Sequence, residues 1–427
     1  MNSIFNNMKT FKDVMSRISF TFFIVCLYRF AVFVPIAGID LTAVSSFLET
    51  KFNAKFFSIF NSFSGRALER MSIMSLGLAP YISASIVIQL LTSSVPKFRE
   101  LKKDGPSGQA KIKQYTRYLT LLLVILQSYS LSLFLEYSSE ANNPLVMYPG
   151  YFFRISTVLS LMGSTLLVMW FAEQITARGI GNGSSMLIFV NIISASFIGS
   201  INFIGMIFKG HVSLPYALFY IALICTLLLI VVIFESAMRV VPIQFPNNRM
   251  MMNKNHEMPV KLNVSGVLPP MFAQMFLGFI IFGLNSLLNL SFLNLSDSYK
   301  NLLHNNNLNI ALKAIMIMFF AFVYATMTFN PEEVADNLKK NGVFVPGVRP
   351  GEKTKQFFTK LITHLTVFGS VYLVSISIIP DFLLDKSSDI YINGTSLLII
   401  VGVTLEFFSH VHSHISSNKM KTGKFRR

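Results

Sequence analysis

Apolar runs close to membrane-crossing length recur along the whole chain, and that repetition constrains the fold more than any motif does. A helix needs about 20 apolar residues to cross a bilayer. Runs of that kind fall at roughly 18–37, 71–95, 118–135, 153–172, 184–207, 214–234, 262–290, 310–329, 361–379 and 395–411. In lipid every backbone polar group must be satisfied within the protein, so only helices and closed barrels span. Barrel strands alternate in segments of about 10 residues, and no such alternation is present. The expectation is an all-α polytopic membrane protein with ten transmembrane helices. The charged fraction agrees: 13%, against about 25% in a soluble chain.

Charge sets the orientation. The segments 1–17, 97–117, 173–178, 235–261, 331–360 and 415–427 together carry the whole net charge of +16, while the intervening loops sum to zero. The positive-inside rule makes the basic side cytoplasmic and places both termini there. The basic excess is therefore a topology signal, and no direct DNA binding is inferred from it. The first run is too long for a signal-peptide core and lacks a small-x-small cleavage site, so it reads as a retained span. Ten spans split into two sets of five around the external loop near 208–213. An odd number per half makes the halves run in opposite directions, the topology of an inverted repeat with its working site between the halves.

Residues 56–96 stand out. A short apolar piece, Phe56 to Phe63, precedes the polar break Ser64-Gly65-Arg66 and then a run carrying Gly77, Pro80, Ser83 and Ser85. A short half-element leading into a helix rich in small residues fits a helix that lines something and a piece that fills it. Segment 331–360 begins amphipathically, with Val334 and Leu338 one turn apart. Gly342, Pro346, Gly347, Pro350 and Gly351 then turn the chain and present Arg349. Pro269-Pro270 predicts a kink in the seventh span.

Other chemistry is weak. Gly179 to Ser185 lacks the Lys and the preceding strand of a phosphate loop and reads as a tight turn. His410 and His414 share a helix face but read as interfacial histidines, so no metal site and no cofactor are expected. Cys26 and Cys225 lie in apolar runs and read as neither disulfide nor ligand. Arg29 and Glu406 are charges inside spans, read foremost as structural contacts. No set of residues supports catalysis. Scarce midplane charge favours a gated pore over a secondary transporter of small solutes with inverted repeats.

Seven stretches carry a resemblance: FVPIAGID at 33–40, FNSFSGRAL at 60–68, PYISASIVIQLLT at 80–92, KIKQYTRY at 111–118, EQITARGIGNG at 173–183, FNPEEVADNLKKNGVFVPGVRPGE at 329–352 and GTSLLI at 394–399. They resemble the SecY family, channel subunits of the bacterial Sec protein translocon, from the first span to about residue 412. The resemblance implies two five-helix halves, 18–207 and 214–412, around a central pore, with a cytoplasmic segment 1–17 and a basic tail 413–427. It implies a short plug helix at about 58–72, including Phe60, Phe63, Ser64, Gly65 and Arg66. It implies a pore ring of Leu78, Ile82, Ile188, Met271 and Ile399, where Met271 replaces the usual branched residue. Ser83 and Gln127 fall on the lateral gate. Arg349, and Arg249 in the shortened loop 235–261, fall where the family engages the SecA motor ATPase and the ribosome. The implied partners further include the small subunits SecE and SecG, signal sequences, unfolded preproteins and anionic lipids. The implied location is the bacterial inner membrane.

Overall fold

The computed structural model describes residues 2–44, 64–137, 144–244, 256–277, 306–383 and 394–423. The helices are α1 (Asn2–Ala31), α2 (Ala79–Ser94), α3 (Pro96–Lys103), α4 (Pro106–Tyr137), α5 (Tyr151–Arg178), α6 (Gly183–Phe208) and α7 (Leu214–Ser236). Strands β1 (Met238–Ile243) and β2 (His256–Lys261) follow, then α8 (Leu268–Leu277). The remainder is α9 (Asn306–Thr328), α10 (Pro331–Lys340), α11 (Glu352–Leu383) and α12 (Gly394–Gly423). Among the described residues, 8 helices are long and apolar enough to cross a membrane. Helix α2 occupies the second expected span but is shorter, and α8 opens the seventh, whose residues beyond Leu277 lie outside the described ones. Large apolar side chains such as Phe22, Leu126, Ile201, Leu218, Ile233 and Phe368 point outward, as lipid-facing positions require.

Two compact units are present: Met1–Ile204 with Val403–Arg427, and Gly205–Gly402. In the first, α4 and α5 form an antiparallel pair tied at both ends. Arg117 Nη2 lies 2.6 Å from Glu173 Oε1 at one end, and Arg154 Nη2 lies 2.6 Å from Glu136 Oε2 at the other. Glu136 also accepts the Gly150 N–H at 2.8 Å. Beyond that end, Ile36, Ile39, Val44, Met71, Leu145, Val146, Phe153 and Leu161 make an apolar cluster. Asp40 caps the segment after α1, and the Thr42 hydroxyl and N–H hold its carboxyl below the usual value. The turn between α5 and α6 is forced by packing. A Cβ on Gly183 would stand 1.9 Å from the Ala172 carbonyl oxygen, so glycine is required there.

Three expectations change. The second span, placed at 71–95, is α-helical only from Ala79 to Ser94. Pro80 explains the start: it lacks an N–H and suits only a first helical turn. The Pro269-Pro270 pair likewise opens α8 at its first turn instead of kinking a longer helix. Lys313, whose charge counts with the external loop 291–313 although the neighbouring run starts near 310, lies inside α9, 7% exposed, and its Nζ donates to the Ser377 carbonyl of α11 at 3.0 Å. A charge in a span is tolerated when it faces protein.

Candidate functional site

The first unit holds a non-helical strap, residues 64–78, between α1 and α2. Its described residues form successive turns rather than an α-helix. Gly65, Arg66 and Met71 have φ of +66, +67 and +40, which a right-handed helix cannot accommodate. Non-helical backbone at membrane depth survives only where protein satisfies it, and here it does. Ile36 N–H donates to Met71 O and Ile73 N–H to Val34 O, both at 2.9 Å. The Ser72 hydroxyl donates to Ala31 O at 3.3 Å, and the Ser164 hydroxyl of α5 donates to Ile73 O at 2.5 Å.

Arg29 of α1 reaches the strap directly. Its Nη1 donates to the Gly65 carbonyl at 3.3 Å, and its Nη2 donates to the Ser194 hydroxyl of α6. Beside it, Asn191 Nδ2 donates to the Tyr28 hydroxyl at 2.7 Å. Glycine suits position 65, where φ is +66 and a Cβ would lie 2.6 Å from both Arg29 Nη1 and Asn191 Oδ1. Arg66 turns away and pairs with Glu69 at 2.7 Å. Of the expected plug residues, Ser64 and Gly65 are buried and Arg66 is half-buried. Phe60 and Phe63 lie outside the described residues.

The expected ring residues are divided between the units. In the first, Leu78 is the N-cap residue of α2 and Ile82 follows one turn on, while Ile188 is buried in α6. In the second, Met271 and Ile399 are 2% and 3% exposed. Their helices, α8 and α12, are bridged by a hydrogen bond from the Thr395 hydroxyl to Gln274 Oε1 at 3.1 Å. Ser83 on α2 and Gln127 on α4 are both half-buried, and their helices pack along each other.

The second unit carries a platform outside the spanning helices, residues 238–244, 256–261 and 331–355. Strands β1 and β2 pair antiparallel, Val241 opposite Met258 and Arg239 opposite Val260. Pro242 opposes Glu257 and Pro259 opposes Val240, so both prolines fall on the same alternate pairs of the ladder. That is the parity a residue without an N–H can occupy. Gln244 and Phe344 exchange backbone hydrogen bonds at 2.9 and 3.1 Å, joining the hairpin to the turn after α10. Val241, Val260, Val345, Phe358, Ile362 and Leu365 form the platform's core, with Val334 and Leu338 of α10 packed on it. Asn330 caps α10, and Lys355 pairs with Glu332 at 3.3 Å. Arg349 stands exposed on the turn, whose backbone is held by the Thr354 hydroxyl donating to Arg349 O at 3.0 Å. Arg249 lies outside the described residues.

Sequence reasoning missed two features here. One is the hairpin, although Arg239 to Ile243 carries a β-branched run at the spacing a strand needs. The other is the polar group at the hairpin's root, Glu235 with Asn263, which nothing in the pattern announces.

Helices of crossing length, outward apolar faces and protein-satisfied non-helical backbone define a polytopic α-helical membrane protein. A SecY family profile matches residues 72–408. The chain is 41% identical over 428 residues to the protein translocase subunit SecY of Rickettsia bellii (strain RML369-C), covering 99% of this chain and 98% of that protein. Among solved structures it is similar to one described as a protein conducting channel, with a TM-score of 0.68, 14% identity, and coverage of 95% and 93%. It is also similar to Sec61 in the canine ribosome-channel complex from the endoplasmic reticulum, with a TM-score of 0.61, 14% identity and the same coverage. The chain belongs to the SecY family.

Proposed function

We propose that the chain is the central protein-conducting channel subunit of a Sec translocon, passing unfolded secretory proteins across the membrane and releasing transmembrane segments laterally into lipid. The observation that carries this is identity to a translocase subunit along 99% of the chain. As a channel subunit it is not an enzyme. Energy comes from a SecA-type motor ATPase or from chain elongation on a ribosome. The chain lies in the bacterial inner membrane with both termini and the 238–261 and 331–355 platform in the cytoplasm, as the distribution of basic residues supports. SecE and SecG are its small partner subunits, and the basic tail 413–427 rests on anionic lipid.

Leu78, Ile82, Ile188, Met271 and Ile399 form the constriction, sealing by apolar contact rather than by a binding site. Methionine at 271 is flexible and still seals. A signal sequence intercalates between the second and seventh spans, beside Ser83 and Gln127. It opens the channel only by binding the open state more tightly than the closed one. The plug, with Phe60 and Phe63 and ending in the strap at Ser64 to Arg66, then leaves the pore. Arg349, with Arg249, engages motor and ribosome.

The test is a photo-crosslinker at Ile82 or Ile188 with a stalled secretory precursor. Crosslinks from both positions are expected. Their absence while the precursor still crosses would remove the ring assignment. The rival reading, a small-solute transporter, is not favoured, because relatives of near full length are translocase subunits.

A further inference from the structure

The root of the β1–β2 hairpin joins three helices of the second unit through one small polar group. The backbone is closed there by Leu262 N–H donating to Ala237 O at 3.0 Å. Across that closure Asn263 Nδ2 donates to Glu235 Oε1 at 2.7 Å, from the strand exit to the last turn of α7. The same amide donates to Gly266 O at 3.0 Å, and the Ser265 hydroxyl donates to Asn263 Oδ1 at 3.0 Å. Asn263 and Ser265 are 2% and 0% exposed. Gly266, at φ +67, ends this turn two residues before α8 begins.

Neighbouring contacts leave the group little freedom. Gly369 of α11 lies against it closely enough that a Cβ would sit 3.5 Å from Asn263 Oδ1. One turn on, Tyr372 stacks on Phe234 with ring centroids 4.2 Å apart. On the far side of the turn, a Cβ on Gly402 of α12 would meet Val267 at 3.0 Å. Helix α8 then carries Met271, and Gln274 ties it to Thr395, one turn before Ile399.

We propose that Glu235 and Asn263 are positioning residues that couple the platform to α8 and through it to the constriction. This rests on the channel reading above. A load applied to the platform by a docked partner turns the hairpin about its root. Because one amide holds both the end of α7 and the turn into α8, that rotation is passed to α8 instead of being absorbed in a loose loop. In this role the pair takes no part in holding the partner or the translocating chain. Its effect is on the response to docking and not on docking itself.

The experiment uses the full-length chain with its small subunits in vesicles containing anionic lipid. Motor ATPase affinity and precursor transport at saturating motor are measured separately. E235A removes the acceptor while leaving the bonds of Asn263 with Gly266 and Ser265, and N263L removes all three. Both are expected to keep motor affinity within about twofold while transport falls by roughly two- to thirtyfold, the range such linkages produce. E235Q, whose amide oxygen still accepts from Asn263, keeps both quantities. Affinity and transport falling together in E235A overturns the proposal, because the pair then only maintains the platform's fold. Unchanged transport in E235A overturns it too, whether or not N263L assembles. Failure of the wild-type chain to move precursor sinks the channel reading, and the coupling with it. Normal wild-type transport with unaltered variants sinks the coupling alone.

Discussion

The strap at 64–78 and the platform at 238–244, 256–261 and 331–355 both lie between spanning helices, yet they are held by different means. The strap's first residues, 64–70, are tied by individual contacts that include the Arg29 guanidinium on the Gly65 carbonyl, Arg70 over the Phe33 ring at 4.3 Å and short-range turns. The platform has a core of its own, with Phe358 fully buried among Val241, Val260, Val345 and Ile362. A segment held by a few polar bonds can leave by breaking them one at a time, whereas one with a core moves as a body. The difference suits the proposed roles: the strap anchors something that must move aside, and the platform is a handle on which partners pull.

The largest effect should come from the platform's centre. Phe358 is 0% exposed and meets the Phe329 and Phe357 rings at 5.9 and 5.5 Å. Phe358→Ala is expected to cost about 3–5 kcal/mol. Limited proteolysis should then cut within 331–355 while the spanning helices stay protected. If cleavage there is no faster than in the wild type, the platform's stability does not come from that core.

Next in size is the strap. Arg29→Ala removes a charged donor from Gly65 and from Ser194, a loss of about 1.5–3 kcal/mol for hydrogen bonds of this kind. A loosened strap should raise the resting ion conductance of vesicles that hold the channel. A conductance equal to wild type would detach the strap from the seal. Gly65→Ala attacks the same contact from the other side, adding a Cβ at 2.6 Å from Arg29 Nη1 in a left-handed conformation. The conformation alone costs about 1–2 kcal/mol. Because both changes break one network, the double variant should leak less than the sum of the two. Strict additivity would mean that Arg29 and Gly65 act separately.

How much of this could be read from the sequence follows from what each signal depends on. Spans were legible because apolar length is a local property, and α7, with a mean hydropathy of 3.1, is the plainest case. The ends of spans were not, since they depend on backbone conformation. The strap interrupts an apolar run with positive φ values at residues the pattern treats as helical. Pro80 was the available signal and was outweighed by the hydropathy around it. The amphipathic start of 331–360 was read from Val334 and Leu338, and these pack as α10 on the platform core. The partner surface they pack on was invisible, because it comes from a hairpin about 75–100 residues upstream and such long-range pairing leaves little local trace. Lys313 looked like loop because a charge ends an apolar run, and only the Ser377 carbonyl explains why it does not end the helix.

The smallest effect on stability should come from Arg349→Glu, and that is its value. The side chain is exposed, and the bond that braces the turn goes from the Thr354 hydroxyl to the backbone oxygen of residue 349, which the substitution retains. A surface change of this kind is expected within about 0.5 kcal/mol of wild type, so melting and protease resistance should not move. Secretion should nonetheless fall, because reversing the charge at the tip repels the acidic or phosphate groups that an arginine engages. Phe358→Ala and Arg349→Glu then separate the platform's two properties, its rigidity and its chemistry. Normal secretion by Arg349→Glu would remove the docking role from the tip. A platform that unfolds with it would mean that the core does not hold the turn, and the contrast with the strap would fail at that point.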